Sequence, residues 1–469
     1  MVPLGLLVMN DRAYPLGSAA FPGSSVSWKA AEMENLTGWL LDDPETRGRR
    51  LAEQFVHQDV ASPASTFAAT WQAILESPFR GGRQAAVERL RAIDPIAYGR
   101  SRNHVGGVVT RLSPWLRHGV LSLAEVRDAA LARVQDRSQA DKLVSELGWR
   151  DYWQRVYAAR PEAIWEDLEP PAAVPRGTVR DRLPDDVATG ATGMACIDAF
   201  SRKLTQTGWL HNHERMWLAS WLVHTRRIAW QVGAAWFLEH LLDADPASNN
   251  FSWQWVAGTF SSKPYIFNRE NLERYTDSLH CRDCPVAGRC DVEGSYDELT
   301  HQLFAEAGQR PERLRIQPTA PWHADPPPGR PLVWLTLDSL GAESPALHRH
   351  PAAPTVFVFD PAWLEQERPS LKRLVFIIEC LAEVPGIEIW HGDPAAVLAA
   401  RAAAVGATHV CVASTPCPLI RSTASRLIGS LPVVPVDWPE FCDASRVTDL
   451  GRFSRYWNKV SKSAMQPPA

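Results

Sequence analysis

No apolar run in this chain approaches the roughly 20 residues that a membrane-crossing helix requires. The opening MVPLGLLVMNDR has an apolar patch but no basic segment before it, so it does not read as a secretory signal. There is no excess of positive charge either. Forty-nine Lys and Arg stand against 53 Asp and Glu, a net charge of −4, so any nucleic-acid footprint must be a local patch. Eight cysteines in 469 residues, without a secretory signal, are too sparse for a disulfide framework. The expectation is a cytoplasmic protein. Its length allows two to four domains, and 45% hydrophobic with 22% charged residues is ordinary for a globular chain.

Tryptophan, in contrast, is abundant. There are 20, and 11 of them fall between Trp115 and Trp255. Such a density makes either an aromatic core or a place where flat ligands stack, and core packing accounts for most of them. The pattern along the chain divides it into parts. Residues 1–75 form a weakly patterned N-terminal arm of unassigned role, punctuated by FPGSS and DVASPAST. Residues 76–316 are helical almost throughout, with apolar residues three and four apart in RQAAVERLRAI, SLAEVRDAALARV, ADKLVSELGWRDYWQRVY and HERMWLASWLVHTRRIAWQVGAAWFLEHLL. A Pro-rich linker covers 317–331. Over 332–445 short strands such as PLVWLTLD, PTVFVFD and THVCVAS alternate with helical stretches, which predicts an α/β domain with a parallel sheet. Residues 446–469 are left as a tail. The predicted fold is thus an all-α domain followed by a smaller Rossmann-like α/β domain.

Four short stretches gather polar side chains. In SELGWRDYW, Glu146, Trp149 and Arg150 share a helical face, as a polar cleft wall or as an ion pair beside a core indole. In TGWLHNHERMWLASW, Asn212, Arg215 and Met216 share a face; His211 and His213, two apart, diverge on a helix and do not suggest a metal. In LLDADPASNNFSWQW, Asp245 reads as a helix N-cap with Pro246 at the first helical position, Asn249 and Trp253 are one turn apart, and Asp243 is free to accept from something other than backbone. In VVTRLSPWLRHGVLS, Thr110 and Ser113 precede a helix start, an ordinary cap or a weak anion site.

Together with YGRSRN (98–103), these pieces resemble, in order and spacing, the flavin domain of the photolyase–cryptochrome family between about Gly82 and Tyr265. The resemblance implies a non-covalent, U-shaped FAD in an all-helical bundle. It places Tyr98, Thr110, Leu112, Ser113 and Arg150 at the phosphates and ribityl chain. It puts Arg215 against Asp243 beside the ring, Asp243 and Asp245 as acceptors, and Asn249 at flavin N5. Trp253 and Trp230 match the proximal and middle electron-transfer tryptophans; Trp165 is a guess for the outer one. Glu146, Trp149, Asn212, Met216 and Trp255 match contacts to a flipped-out pyrimidine dimer in UV-damaged DNA. A monomer that repairs cyclobutane dimers by light-driven electron transfer is the implied function; a cryptochrome-like photoreceptor without repair is the alternative.

Two departures stand out. The α/β domain comes last, whereas the family's antenna domain comes first, and SLGAESPALHRH replaces the usual sequence after its first strand, so an antenna chromophore is uncertain. Cys281, Cys284 and Cys290 form C-x2-C-x5-C, a ligand-like cluster in a reducing compartment. The surrounding SKPY resembles the iron–sulfur bacterial branch of the family, which implies Cys196 as a fourth thiolate and a four-iron, four-sulfur cluster; zinc or free thiols are the alternatives.

Overall fold

The computed structural model describes residues 33–56, 64–307 and 314–466, together with a two-stranded antiparallel hairpin of β1 (Leu6–Met9) and β2 (Arg12–Pro15). FPGSS and most of DVASPAST lie outside the described residues.

A six-stranded sheet in the order β10-β9-β6-β7-β8-β3 forms one layer. Its strands are β3 (Glu34–Asn35), β6 (Pro331–Leu335), β7 (Thr355–Phe359), β8 (Ile387–His391), β9 (His409–Ala413) and β10 (Val433–Val436). The five C-terminal strands are all parallel. β7 (TVFVF) and β9 (HVCVA) are buried at every residue, as strands covered on both faces must be. Among the five parallel strands the chain starts in the middle at β6, winds outward through β7 and β8, then crosses back to β9 and β10.

The N-terminal segment does not stand apart as an arm. β3 pairs antiparallel with β8, and Phe55, at the end of helix Pro44–Phe55, packs on Phe359 at 4.9 Å and on His391 at 5.1 Å. The α/β layer is therefore built from both ends of the chain. The C-terminal residues are likewise no loose tail. Helix Phe453–Ala464 docks on helix Asp141–Ala159, with the Trp457 ring lying over Gly148. Nor is the middle purely helical, because β4 (Ala173–Pro175) and β5 (Phe304–Ala307) pair there.

Among the described residues five helices begin with Asp-Pro: at Asp43, Asp94, Asp245, Asp360 and Asp393. Each carboxylate accepts backbone N–H groups as the N-cap, and each proline occupies the first helical position, where it has no hydrogen bond to lose. The Asp that ends β7 is thus a helix cap. Among the described residues the helical region holds two large cores and a small cluster of Leu299, Leu303 and Phe304. One joins Trp115, Leu147 and Trp153 to the inner face of the sheet; the other gathers Phe200, Trp217, Trp236 and Phe267. Helix Pro246–Ala257 lies at the seam, sending Ala247 and Phe251 into the first core and Trp253 and Val256 into the second. Polar residues on the remaining face of that helix are left at the seam.

Candidate functional site

Helix Pro246–Ala257 starts where the sequence predicts. Asp245 caps it, accepting from Ser248 N at 3.1 Å. Both oxygens of the same carboxylate accept from Gln154 Nε2 at 2.9 Å, the Ser248 hydroxyl donates to one of them, and Arg150 lies 3.4 Å away. Burial pushes its pKa upward, but Arg150, Arg117, Ser248 and Gln154 outweigh it and hold Asp245 below the ordinary carboxylate value. Arg150 and Gln154 are four apart on helix Asp141–Ala159 and so reach the same point. Gln154 was recoverable from that spacing and was missed.

Arg215 and Asp243 meet as the resemblance implies, at 2.8 Å, while Arg215 Nε donates to Leu210 O. Asp243 is buried, and its other oxygen, Oδ1, has no hydrogen-bond partner among the described residues. A buried carboxylate oxygen left unpaired costs roughly 1–3 kcal/mol or more, which a donor on a bound molecule would relieve. Asn249 is half-buried at the seam, and its amide nitrogen donates to Ala234 O and Asn250 Oδ1. Its carbonyl end is thereby oriented.

Glu146 pairs with Arg102 at 2.6 Å. Burial raises its pKa, and Arg102 only partly offsets this. Two carboxylates on this side of the bundle, Glu146 and Asp245, are thus shifted in opposite directions. Arg102 belongs to YGRSRN but was not singled out; its carbonyl also accepts from His211 Nε2. His211 itself caps helix Asn212–Ser220 in a capping box with Glu214. Burial lowers the pKa of both His211 and His213 to about 4, so both rings are neutral near pH 7.

Tyr98 sits on helix Pro95–Ser101 and Ser113 opens the short helix Ser113–Arg117, with Leu112 rather than Ser113 at the cap position. Thr110 and Leu112 flank Arg111, whose φ of 56° is a left-handed conformation unusual for a side-chain-bearing residue. Tyr98, Thr110 and Ser113 are all half-buried.

The substrate-side residues are only partly brought together. Asn212 and Met216 touch, amide to sulfur, at 3.3 Å. Trp255 rests on Tyr265 at 5.6 Å. Trp149 makes no ring contact with Trp255 among the described residues; its face is stacked on Phe453, centroids 3.8 Å apart and 11° from parallel. The C-terminal helix supplies that cover, which local spacing in SELGWRDYW does not reveal. Trp253 packs on Gly233, and Trp230, one turn earlier, stacks on Trp165 at 6.4 Å and 8°.

The four cysteines do converge. Cys196, Cys281, Cys284 and Cys290 line one cavity of about 320 Å³ with Met194, Leu272 and Val292. Burial raises the Cys196 thiol to about 12 and the Cys281 thiol to about 11. Among the described residues, no group of three or more Cys, His, Asp or Glu side chains is arranged to hold a metal ion.

A second cavity, of about 1020 Å³, lies between the helical region and the C-terminal ends of β6, β7 and β9, lined by Asp338, Asp360, Trp334, Trp363, Trp165 and Asp245 among others. Of the residues assigned to the flavin, only Asp245 reaches it. Among the described residues no helix is long and apolar enough to cross a membrane.

Residues 143–279 match the family described as the FAD binding domain of DNA photolyase. A deoxyribodipyrimidine photo-lyase of Streptomyces griseus is 39% identical over 160 residues, 33% of this chain and 33% of that one. A cryptochrome DASH of Ostreococcus tauri is 34% identical over 252 residues, 50% of this chain and 44% of that one. The chain thus spans well under two thirds of these relatives. A crystal structure of a class III photolyase from Agrobacterium tumefaciens is 27% identical, covering 47% of this chain and 50% of that one, with a TM-score of 0.37, too loose a likeness to carry over geometry.

Proposed function

We propose, from the match of residues 143–279 to the FAD binding domain of DNA photolyase and from the similarity to photolyase and cryptochrome sequences, that the protein is a light-driven, FAD-dependent DNA repair enzyme acting on cyclobutane pyrimidine dimers. The observation that carries the reading is Asp243, fixed by Arg215 on one oxygen and unpartnered on the other. A heterocyclic N–H is the donor that fits it. Tyr98, Thr110, Leu112, Ser113 and Arg150 would hold the rest of the coenzyme, and Asn249 would meet N5. Bound there in reduced form, the flavin supplies the electron that splits the dimer after excitation.

The chain's own residues do the positioning. Asp245 stays ionised between Arg150 and Gln154 and accepts hydroxyl or N–H groups. Glu146, held by Arg102, would hydrogen-bond the pyrimidine edge. Trp255, Asn212 and Met216 meet the extruded bases, and stacking offsets the cost of extrusion at roughly 1–3 kcal/mol per base. Trp149, held against Phe453, is a fixed wall of that site. Trp253 and Trp230 pass electrons that return the flavin to its active state. The cavity at the strand ends is where a second chromophore would fit.

Illumination of the flavin-loaded, reduced protein with a thymine-dimer oligonucleotide tests the reading: the absorbance of separated bases should return with light. Flavin photochemistry without any such recovery overturns repair and favours the photoreceptor alternative. We also propose that the cavity ringed by Cys196, Cys281, Cys284 and Cys290 takes a four-iron, four-sulfur cluster, supported by four thiols facing one largely apolar space. Iron and sulfide should be present, with a broad visible absorption that Cys281→Ala abolishes; protein purified anaerobically without iron refutes it.

A further inference from the structure

Trp230 is buried, 5% exposed, at the start of helix Trp230–His240. Its indole N–H donates to Asp167 Oδ1 at 2.7 Å. Asp167 itself reaches solvent. The loop that carries it is clamped to the same helix: Trp165 lies parallel to Trp230, and Gln231 donates to the Trp165 carbonyl at 3.3 Å. On the other side, the Trp253 ring packs on Gly233, one turn from Trp230.

We propose that Asp167 is the proton acceptor for Trp230 when that indole is oxidised, and that this makes Trp230 the end of the electron-transfer chain. The inference rests on the proposed flavin site, since the oxidant is a photoexcited oxidised flavin acting through Trp253. One electron leaves Trp253 for the flavin, and Trp253 is refilled by one electron from Trp230. Trp230 then carries the deficit. Its N–H bond breaks, the bonding pair stays on the indole nitrogen, and the proton passes to Asp167 Oδ1. The products are a neutral indolyl radical and a carboxylic acid, which exchanges its proton with water. An indole that has lost an electron is a far stronger acid than the intact ring, and the acceptor is already within hydrogen-bond reach. The neutral radical is a weaker oxidant than the cation it comes from. The deficit is therefore trapped at Trp230 and does not move on to Trp165, although the two rings are parallel. A chain built this way needs no third, surface tryptophan.

Flash-induced transient absorption on the flavin-loaded full-length protein distinguishes the outcomes. The unaltered protein should give a neutral tryptophan radical whose formation slows in heavy water. Asp167→Asn keeps an oxygen acceptor for the N–H but takes no proton; it should give the protonated radical instead, decaying at least about tenfold faster by recombination. Trp165→Phe should leave the neutral radical unchanged. A neutral radical at full yield in Asp167→Asn, or its loss in Trp165→Phe, overturns the assignment. No tryptophan radical at all in flavin-loaded protein would refute the chain through Trp253 and Trp230 as well. The heavy-water effect is read on the unaltered protein and does not depend on any variant folding.

Discussion

Gly233 and Gly148 offer a matched pair for testing how the aromatic core holds its shape. Both sit inside helices, and each faces an indole edge-on. A Cβ at Gly233 would come within 2.2 and 2.4 Å of two Trp253 ring carbons; one at Gly148 would come within 2.3 Å of Trp457. The surroundings differ. Trp253 is 2% exposed and stands edge-to-face against Phe237 at 4.9 Å, so its ring has nowhere to go. Trp457 is half-exposed on the outer helix Phe453–Ala464 and can swing outward. Overpacking an enclosed site costs about 1–3 kcal/mol, and a clash this deep belongs near the upper end. Replacing glycine by alanine inside a helix returns about 1 kcal/mol. Gly233→Ala should therefore lose about 2 kcal/mol, whereas Gly148→Ala should be close to neutral. Equilibrium urea denaturation followed by tryptophan fluorescence reads both, provided the slope with urea is unchanged. Equal losses in the two variants, or none at Gly233, would refute the argument that enclosure decides the cost.

Arg215→Met removes the partner of a buried carboxylate and should cost roughly 3 kcal/mol, with flavin retention lost; a denaturation midpoint equal to that of the unaltered protein would refute it. His224 is buried, with burial lowering its pKa to about 4. Between pH 6.5 and 4 the unfolded chain binds a proton there that the folded chain does not. Stability from this group is therefore complete above pH 6.5 and falls as the pH drops, by up to about 1.4 kcal/mol per unit. His224→Gln should flatten that part of the stability–pH curve, and an unchanged curve counts against it. Trp255→Ala should weaken binding to dimer-containing DNA by about 5- to 150-fold while flavin stays bound; undiminished binding in a gel-shift titration removes that indole from the substrate site.

Much of the site was legible because its information is local. Asp245 and Pro246 start a helix by local chemistry, as do Asp94, Asp360 and Asp393 with their prolines, whereas Asp325-Pro326 in the Pro-rich linker starts none. Glu146, Trp149 and Arg150 share a face by helical spacing alone, and Arg215 finds Asp243 as the family resemblance implies. Arg102 was harder to see, because its partner Glu146 lies 44 positions away. Nothing in the sequence around Trp149 announces Phe453, more than 300 residues later, as the ring that covers it.

By itself the sequence determined most of the helices, the strands of the parallel sheet and the Asp245 cap, since each follows from spacing and backbone chemistry over a few residues, while the flavin-site residues were implied by the family resemblance. Only the tertiary structure decided that the two ends of the chain share one sheet, that the last helix closes over Trp149, that Cys196 lines the same cavity as Cys281, Cys284 and Cys290, and that the N–H of Trp230 points at Asp167. Those pairings are chosen by which surfaces bury together, and burial depends on the whole chain at once.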